Sequence, residues 1–442
     1  MPAPRPARRS KTSTAPMRHG FEVKKLFAPL MAFDRIGLAV SGGPDSLGLM
    51  LLAAGWAGTE GKTLVVYTVN HGLRPEAAAE CALVAVEAQR LGLVCRMLAW
   101  DGTKPASGIQ AAARAARYRL IGAAMREDGS QILVTAHHRN DQAETILMRM
   151  AHGSGVSGLC GMTLFGEVEG VRLCRPMLGV EPARLRDIVR DAGLIAVADP
   201  SNMDEHYERV RWRHTLPILA REGLDAERLA SLAKRMARAD AALDRAAGEA
   251  IGRLASVDRF GVVSIPHGDL FALAEEIGLR LIDRMVGWAG GGSEPCRLGT
   301  LESAYEALAA AAPGHATTLG GAAMVRDKDT VLAFRELGRM PAPAAISLES
   351  AGNMAFDGRF TIACSGSGAG LSVSAAGEEV TRAAAEALAG PIAAPMRAVA
   401  SAPALRDRDG RLVGIGVGTY EIGNARVSIA ASFGSKPPQT GQ

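Results

Sequence analysis

The segment Ala39-Val-Ser-Gly-Gly-Pro-Asp-Ser-Leu47 constrains this chain more than any other, because an apolar run, Ile36–Val40, empties there into two adjacent glycines and then a helix-forming stretch. A strand that ends in such a turn before a helix aims several backbone N–H groups at one point, and the helix terminus adds positive potential there. Gly42 and Gly43 let the backbone approach an anion closely, while Ser41 and Ser46 supply hydroxyl donors. Ser41, Gly42, Gly43, Pro44, Asp45 and Ser46 therefore form a candidate phosphate cradle. Asp45 would repel a bare phosphate, so a metal ion bridging it to phosphate oxygens accounts for a carboxylate at that position. The plainer alternative is a strand-to-helix turn capped by Ser or Asp. The segment lacks the Gly-Lys-Ser/Thr of a Walker loop.

The surrounding pattern has room for a layered domain. Strand candidates at Ile36–Val40, Leu64–Val69, Val94–Ala99 and Ile132–Ala136 alternate with helix candidates at Asp45–Ala54, Pro75–Leu91, Gly108–Arg126 and Asn140–Met150. That alternation predicts an α/β fold, a doubly wound, mainly parallel sheet of Rossmann-like type, with ligands bound beyond the carboxyl ends of its strands. The 442 residues then divide into a basic arm over 1–20, a catalytic α/β domain over 21–215, a linker helix with a smaller helical domain over 216–340, and a weak α+β appendage over 341–442. The arm reads as disordered, either a solvated tail or an attractor of an anionic polymer. Gly153-Ser-Gly-Val-Ser-Gly158 follows a helix rather than a strand, so it reads as a flexible loop near the substrate and not as a second phosphate loop. No apolar stretch is long enough to span a membrane. A net charge of +4 does not by itself announce a nucleic-acid partner. Six scattered cysteines without a C-x-x-C pair argue against a zinc ribbon, a cluster ligand set or a paired-thiol centre, and fit a reducing cytoplasm. Oligomeric state leaves no readable trace.

Further motifs follow in order: Val69-Asn-His-Gly-Leu-Arg74, Gly108-Ile-Gln-Ala-Ala-Ala-Arg-Ala-Ala-Arg-Tyr118, Thr135-Ala-His-His-Arg-Asn-Asp-Gln-Ala-Glu-Thr145, Asp199-Pro-Ser-Asn-Met-Asp204 and Arg209-Val-Arg-Trp-Arg213. The Ser-Gly-Gly-x-Asp-Ser loop resembles the pyrophosphate loop (PP-loop) of the N-type ATP pyrophosphatases. Together with the later motifs, the chain from Ile36 to His214 resembles the tRNA(Ile)-lysidine synthetases. A fainter likeness continues through Thr318-Leu-Gly-Gly321 and Arg335-Glu336. The resemblance implies a ligase that uses ATP and Mg2+. It would adenylate the C2 oxygen of the wobble cytidine in tRNA(Ile) with a CAU anticodon, then let the ε-amine of free L-lysine displace AMP. Other readings are a tRNA thiolase sharing the loop, whose chemistry needs paired cysteines or a cluster, and a non-catalytic tRNA- or nucleotide-binding homologue.

The residue types suit that chemistry. Asp141 and Glu144, three apart at the start of a helix, share a face and can hold an ammonium ion; helix N-terminal acid placement is the plainer reading. Lysine must be neutral to attack, and the same two carboxylates could later accept the ammonium's proton. His137 is a further catalytic candidate, beside His138, although a histidine pair that merely fixes the loop by hydrogen bonding would look the same. In the resembled family this Asp and Glu are associated with lysine, and the loop Asp with ATP and magnesium. Asn140 stands where the family usually has Asp, so a contact from that position would be neutral here. Arg209, Arg211 and Arg213 alternate with Val210 and Trp212. In an extended segment they share one face, suited to polyphosphate or tRNA backbone, and Arg209 and Arg211 are the catalytic candidates. His71, Arg74 and Arg114 are candidates to line the ATP site. A basic helix face at Arg114, Arg117 and Arg119 would also be unremarkable as a solvated surface.

Overall fold

The structure, a computed structural model, describes residues 22–105, 107–197, 204–292, 295–338, 342–349 and 352–433. The basic arm over 1–20 and most of the Asp199–Asp204 motif lie outside the described residues. The chain divides into two units between Met236 and Ala237.

The first unit starts with a short helix, α1 (Val23–Phe27), and then alternates strand and helix. In order these are β1 (Arg35–Ala39), α2 (Pro44–Glu60), β2 (Thr63–Asn70), α3 (Ala77–Arg90), β3 (Val94–Ala99), α4 (Ile109–Asp128), β4 (Ile132–Val134) and α5 (Arg139–Ala151). A one-turn helix α6 (Val156–Leu159), a hairpin of β5 (Phe165–Val168) and β6 (Val171–Cys174), α7 (Pro182–Asp191) and α8 (Glu208–Arg221) follow. The six strands form one sheet in the order β3-β2-β1-β4-β6-β5. Every pairing is parallel except the β5–β6 hairpin. Ile36 and Leu38 of β1, with Leu47 and Met50 of α2, Val84 of α3 and Leu185 of α7, fill the core on one face. Tyr67, Tyr118, Ile121 and Met125 fill it on the other. Burial on both faces is what a parallel sheet requires. Gly37 at the centre of β1 makes room for a ring: a Cβ there would stand 2.8 Å from Tyr67 Cε2. Tyr67 reaches past it to Ser130 Oγ at 2.8 Å and Asp128 Oδ2 at 3.1 Å.

The strand order reverses between β1 and β4, which puts the loops after those two strands side by side at the topological switch point. The α/β fold expected from the alternation is present, with all four expected strands. The fourth is shorter than expected, because the chain leaves the sheet after Val134 to enter the turn before α5.

Two expectations of local structure are corrected. Gly153–Gly158 is not a free loop: α6 forms there, Arg149 donates to the carbonyls of Gly158 and Gly161 at 2.7 and 2.8 Å, and Gln142 bonds Met162 through both its amide atoms. The Arg209–Arg213 segment is not extended but opens α8. Val210 and Leu216 are buried there, and Leu216 packs with Ile146 and Leu147 of α5. That helical packing outweighs the alternation of charged and apolar residues.

Helix α9 (Ala226–Leu254) contains the division between the units. The second unit carries helices α10 (His267–Phe271), α11 (Glu275–Ala289) and α12 (Leu298–Ala310), as the sequence predicts for this stretch. It also carries a five-stranded antiparallel sheet that the helical reading did not include. Its strands are β7 (Ser256–Val257), β8 (Val263–Pro266), β9 (Ala316–Leu319), β10 (Ala322–Asp327) and β11 (Thr330–Arg335), in the order β7-β8-β11-β10-β9. The strands are short and amphipathic, and α11 covers the sheet through Ile282, Met285 and Val286. Among the described residues, the last hundred hold two four-stranded antiparallel sheets that share one core, Val373 and Leu405 of one packing with Ile362 and Val427 of the other, and two helices, Arg382–Ala389 and Met396–Ala400.

Candidate active site at the switch point

The loop after β1 is pinned from within. Ser41 N–H donates to Ser46 Oγ at 3.2 Å, and Ser46 Oγ–H donates to the Gly43 carbonyl at 3.0 Å. Gly42 has φ +88°, and a Cβ on it would lie 3.0 Å from Val197 Cγ2. Gly43 has an ordinary extended conformation, φ −69°, and a Cβ there would meet nothing nearer than Ser41 Oγ at 3.8 Å. The first glycine is thus required by the backbone, whereas the second leaves open space in front of the helix N-terminus. That is the arrangement an incoming anion needs. Asp45, on the first turn of α2, has its Oδ2 3.5 Å from His138 Nε2, while its Oδ1 is buried with no hydrogen-bond partner. A buried, unpartnered carboxylate oxygen beside a phosphate cradle fits a hard divalent cation. Among the described residues no group of three or more His, Cys, Asp or Glu could hold such an ion.

The loop after β4 delivers the second half of the site. His138 caps α5: its Nδ1 accepts from Asp141 N–H at 3.3 Å, and Asp141 Oδ2 accepts from His138 N–H at 2.9 Å. This reciprocal cap fixes Asp141 in the first turn. Both nitrogens of His138 are thereby committed, one to Asp141 and one to Asp45. Burial opposes its charge, yet the hydrogen bond to Asp45 and the charges of Asp141, Asp45 and Glu144 raise its pKa above the usual histidine value. His137 differs. Its Nδ1 sits 2.7 Å from Thr135 Oγ1. Burial, aided by the charges of Arg209, Arg175 and Arg114 and resisted by Asp141, pushes its pKa down to about 4. At neutral pH His137 is an uncharged imidazole.

Of the two carboxylates of α5, Glu144 is buried, with 1% of its side chain exposed, and Asp141 is mostly buried; two arginines of α8 neutralise them. Arg209 bridges both: Nε to Glu144 Oε2 at 2.8 Å and Nη2 to Asp141 Oδ1 at 3.0 Å. Arg213 donates to Glu144 Oε1 at 2.9 Å and Oε2 at 3.4 Å. Helical spacing explains the pair, since residues four apart share a face. Despite burial, the His138 and Arg209 charges hold the Asp141 pKa below the usual carboxylate value.

Asp45, His138, Asp141, Arg209, Glu144 and Arg213 thus form one connected polar chain across the switch point. Not every sequence candidate joins it. Arg211, two residues along the helix from Arg209, turns away and donates to the carbonyls of Glu205 and His206, both at 3.0 Å. The three arginines therefore do not share a face; helix geometry pairs Arg209 with Arg213 instead. Arg74 is held by Glu80 of α3 at 3.1 Å. His71 lies beyond the end of β2, where Arg117 Nη2 approaches its Nε2 to 3.2 Å. Burial, then Arg117 and Lys104, push the His71 pKa down to about 4. Arg114 is exposed on α4, its guanidinium 5.1 Å from the Tyr118 ring. His138, read from the sequence only as half of a histidine pair, and Arg213, read only as part of the arginine row, were not among the catalytic candidates. A helical reading begun at Glu208 rather than at Leu216 would have singled out Arg213.

Residues 17–219 match the PP-loop domain family. The tRNA(Ile)-lysidine synthase of Rhodopseudomonas palustris is 47% identical over 313 residues, 70% of this chain and 89% of that protein. The chain belongs to the tRNA(Ile)-lysidine synthase family. The synthase of Bradyrhizobium sp. is 44% identical, covering 65% of this chain and 83% of its own length, and that of Methylobacterium nodulans 46%, covering 64% and 85%. Among solved structures, a U34-tRNA thiolase from Methanococcus maripaludis aligns with TM-score 0.42 and 14% identity, over 48% of this chain and 77% of that one. In this chain Asp45 stands on the first turn of α2, after β1, while His137 precedes α5 and Asp141 and Glu144 lie on it, after β4. No described helix is long and apolar enough to cross a membrane.

Proposed function

We propose that this protein joins L-lysine to C2 of the wobble cytidine of tRNA(Ile) with a CAU anticodon, consuming ATP to AMP and pyrophosphate. One observation carries the reading. The anion-binding turn after β1 and the carboxylates after β4 are linked by a single chain of ion-pair and hydrogen-bond contacts, Asp45–His138–Asp141–Arg209–Glu144. The reaction needs an anion site and an ammonium site in reach of each other.

In the first step the C2 oxygen of cytidine attacks the α-phosphorus and pyrophosphate leaves. The N–H groups of the Ser41–Ser46 turn hold the departing pyrophosphate. Asp45 would hold the Mg2+ that accompanies ATP, which supplies charge neutralisation on the phosphate oxygens. Arg209, connected to Asp45 through Asp141 and His138, would offset charge developing at the α-phosphate. In the second step the lysine ε-amine attacks C2, and AMP departs with the former C2 oxygen. Asp141 and Glu144 bind the ammonium form and orient it. The amine must shed protons to attack and then to yield a neutral product, and His137, uncharged at neutral pH, stands beside Asp141 to receive one. His138, tied at both nitrogens, positions Asp45 and Asp141. Arg114 on α4 and His71 after β2 would contribute on the nucleotide side.

Incubating the protein with labelled lysine, ATP and a tRNA(Ile) transcript bearing CAU tests the proposal. Label should enter the tRNA only when ATP is present. Failure to label under conditions where the protein releases AMP would overturn it, and label from a sulfur donor would assign the chain to thiolation.

A further inference from the structure

The carboxylates assigned to the lysine ammonium already hold a cation. Asp141 and Glu144 contribute two negative charges, and Arg209 and Arg213 two positive ones, so the cluster is balanced without substrate. Glu144 is 1% exposed and Asp141 14%, so a third cation entering beside both arginines would leave an uncompensated charge in a poorly solvated place. The two arginines are not equivalent. Arg213 binds only Glu144, through both of that carboxylate's oxygens, and leaves Asp141 untouched. Arg209 spans both carboxylates with one guanidinium, occupying the positions at which an alkylammonium would make the same two contacts. Its side chain is 38% exposed, so it has an open side towards which to leave.

We infer that Arg209 is an internal stand-in for the lysine ammonium, and that it yields the site when nucleotide phosphate arrives. A guanidinium suits a phosphate at least as well as a carboxylate, and it binds either in a bidentate manner. Transfer of Arg209 to the α-phosphate would leave Asp141 and Glu144 facing Arg213 alone, a net charge of −1 ready for one ammonium. Lysine would then bind after ATP, and the amine would reach the site only when there is an adenylate to attack. Arg213 remains behind as the fixed partner that holds Glu144 in place. This inference rests on the assignment of Asp141 and Glu144 to lysine.

Equilibrium dialysis of labelled lysine against the full-length protein tests it, alone and with Mg2+ and a non-hydrolysable ATP analogue. Wild-type protein should bind lysine about 10-fold more tightly with the analogue than without it, equivalent to about 1.4 kcal/mol of coupling. Arg209→Gln should bind lysine without nucleotide about 10-fold more tightly than nucleotide-free wild type, and gain little from the analogue, although it no longer makes product. Arg209→Lys, which restores a cation at the same position, should return nucleotide-free binding to the weak wild-type level. Arg213→Gln should keep its response to the analogue. Equal lysine affinity with and without analogue in wild type, or no gain in Arg209→Gln with a wild-type melting curve, would overturn the exchange while leaving ligation intact. Absence of lysine binding in every state, with tRNA label also absent, would instead overturn the lysine assignment itself.

Discussion

Two adjacent glycines separate what the fold needs from what the chemistry needs. Gly42 sits at φ +88°, and a Cβ there would lie 3.0 Å from Val197 Cγ2 and 3.4 Å from Val84 Cγ2. Placing a non-glycine residue in that region costs about 1–2 kcal/mol, and the valines must also shift, so Gly42→Ala should lose about 2 kcal/mol. For a domain of this size that corresponds to a fall in Tm of about 4–8 °C. Gly43 is at φ −69° with ordinary space around its absent Cβ. Gly43→Ala gains about 0.4–1 kcal/mol by restricting the unfolded chain and gives back a similar amount as a poorer N-cap, so its stability should stay within about 0.5 kcal/mol of wild type. Its methyl group would stand in the space left for phosphate. Disturbing a preorganised donor set of this kind costs about 100-fold or more, which should appear in kcat/KM for ATP. Thermal melts read the first effect and AMP release at varied ATP the second. A Gly43→Ala enzyme with unchanged ATP kinetics, or one destabilised as much as Gly42→Ala, would refute the reading of this turn as a phosphate cradle.

Other substitutions test separate links. Asp45→Ala should abolish AMP release in any concentration of Mg2+, measured by separating AMP from ATP; near-normal turnover would show that Asp45 is not the metal-holding carboxylate. Glu144→Gln should chiefly raise the lysine concentration needed for half-maximal rate, because it removes one of the two charges that hold the ammonium; an unchanged lysine requirement would refute that role. Acid should also weaken the fold above the range in which carboxylates titrate. His137 and His71 each titrate near 4 in the folded protein against 6.5 unfolded, so the unfolded chain takes up their protons first. Stability is therefore lost as pH falls from about 6.5 towards 4, by up to about 1.4 kcal/mol per pH unit for each histidine. Urea melts across that range should show a shallower slope in His71→Gln than in wild type, and an identical slope would contradict the burial of that ring.

The sequence was most legible where one rule governed each residue. Alternating apolar runs and amphipathic stretches predicted the parallel sheet, because strands covered on both faces read as continuous hydrophobic runs. The turn at Ser41–Ser46 was legible because glycine, serine and aspartate there have few other uses. Arg209–Arg213 misled for the opposite reason. Arg-Val-Arg-Trp-Arg alternates as a strand would, and the helical period emerges only when the window reaches Leu216, which packs against α5. That error exchanged Arg213 for Arg211. The part His138 plays was not legible, because a cap for α5 that also bridges to Asp45 depends on two strand ends meeting at the switch point. Sequence spacing within one segment does not encode that meeting. The five-stranded sheet after α9 was equally hidden, since its short strands lie among longer and more regular helices.

The central claim concerns where the oxygen of the wobble base goes. A tRNA(Ile) transcript carrying oxygen-18 at O2 of the wobble cytidine, incubated with ATP and lysine, reports it in one mass spectrum of the released AMP. Adenylation at that oxygen followed by amine displacement predicts that the label leaves the tRNA and appears in AMP, one labelled AMP for each lysine incorporated. Unlabelled AMP, with the oxygen-18 still on the base, would contradict the account.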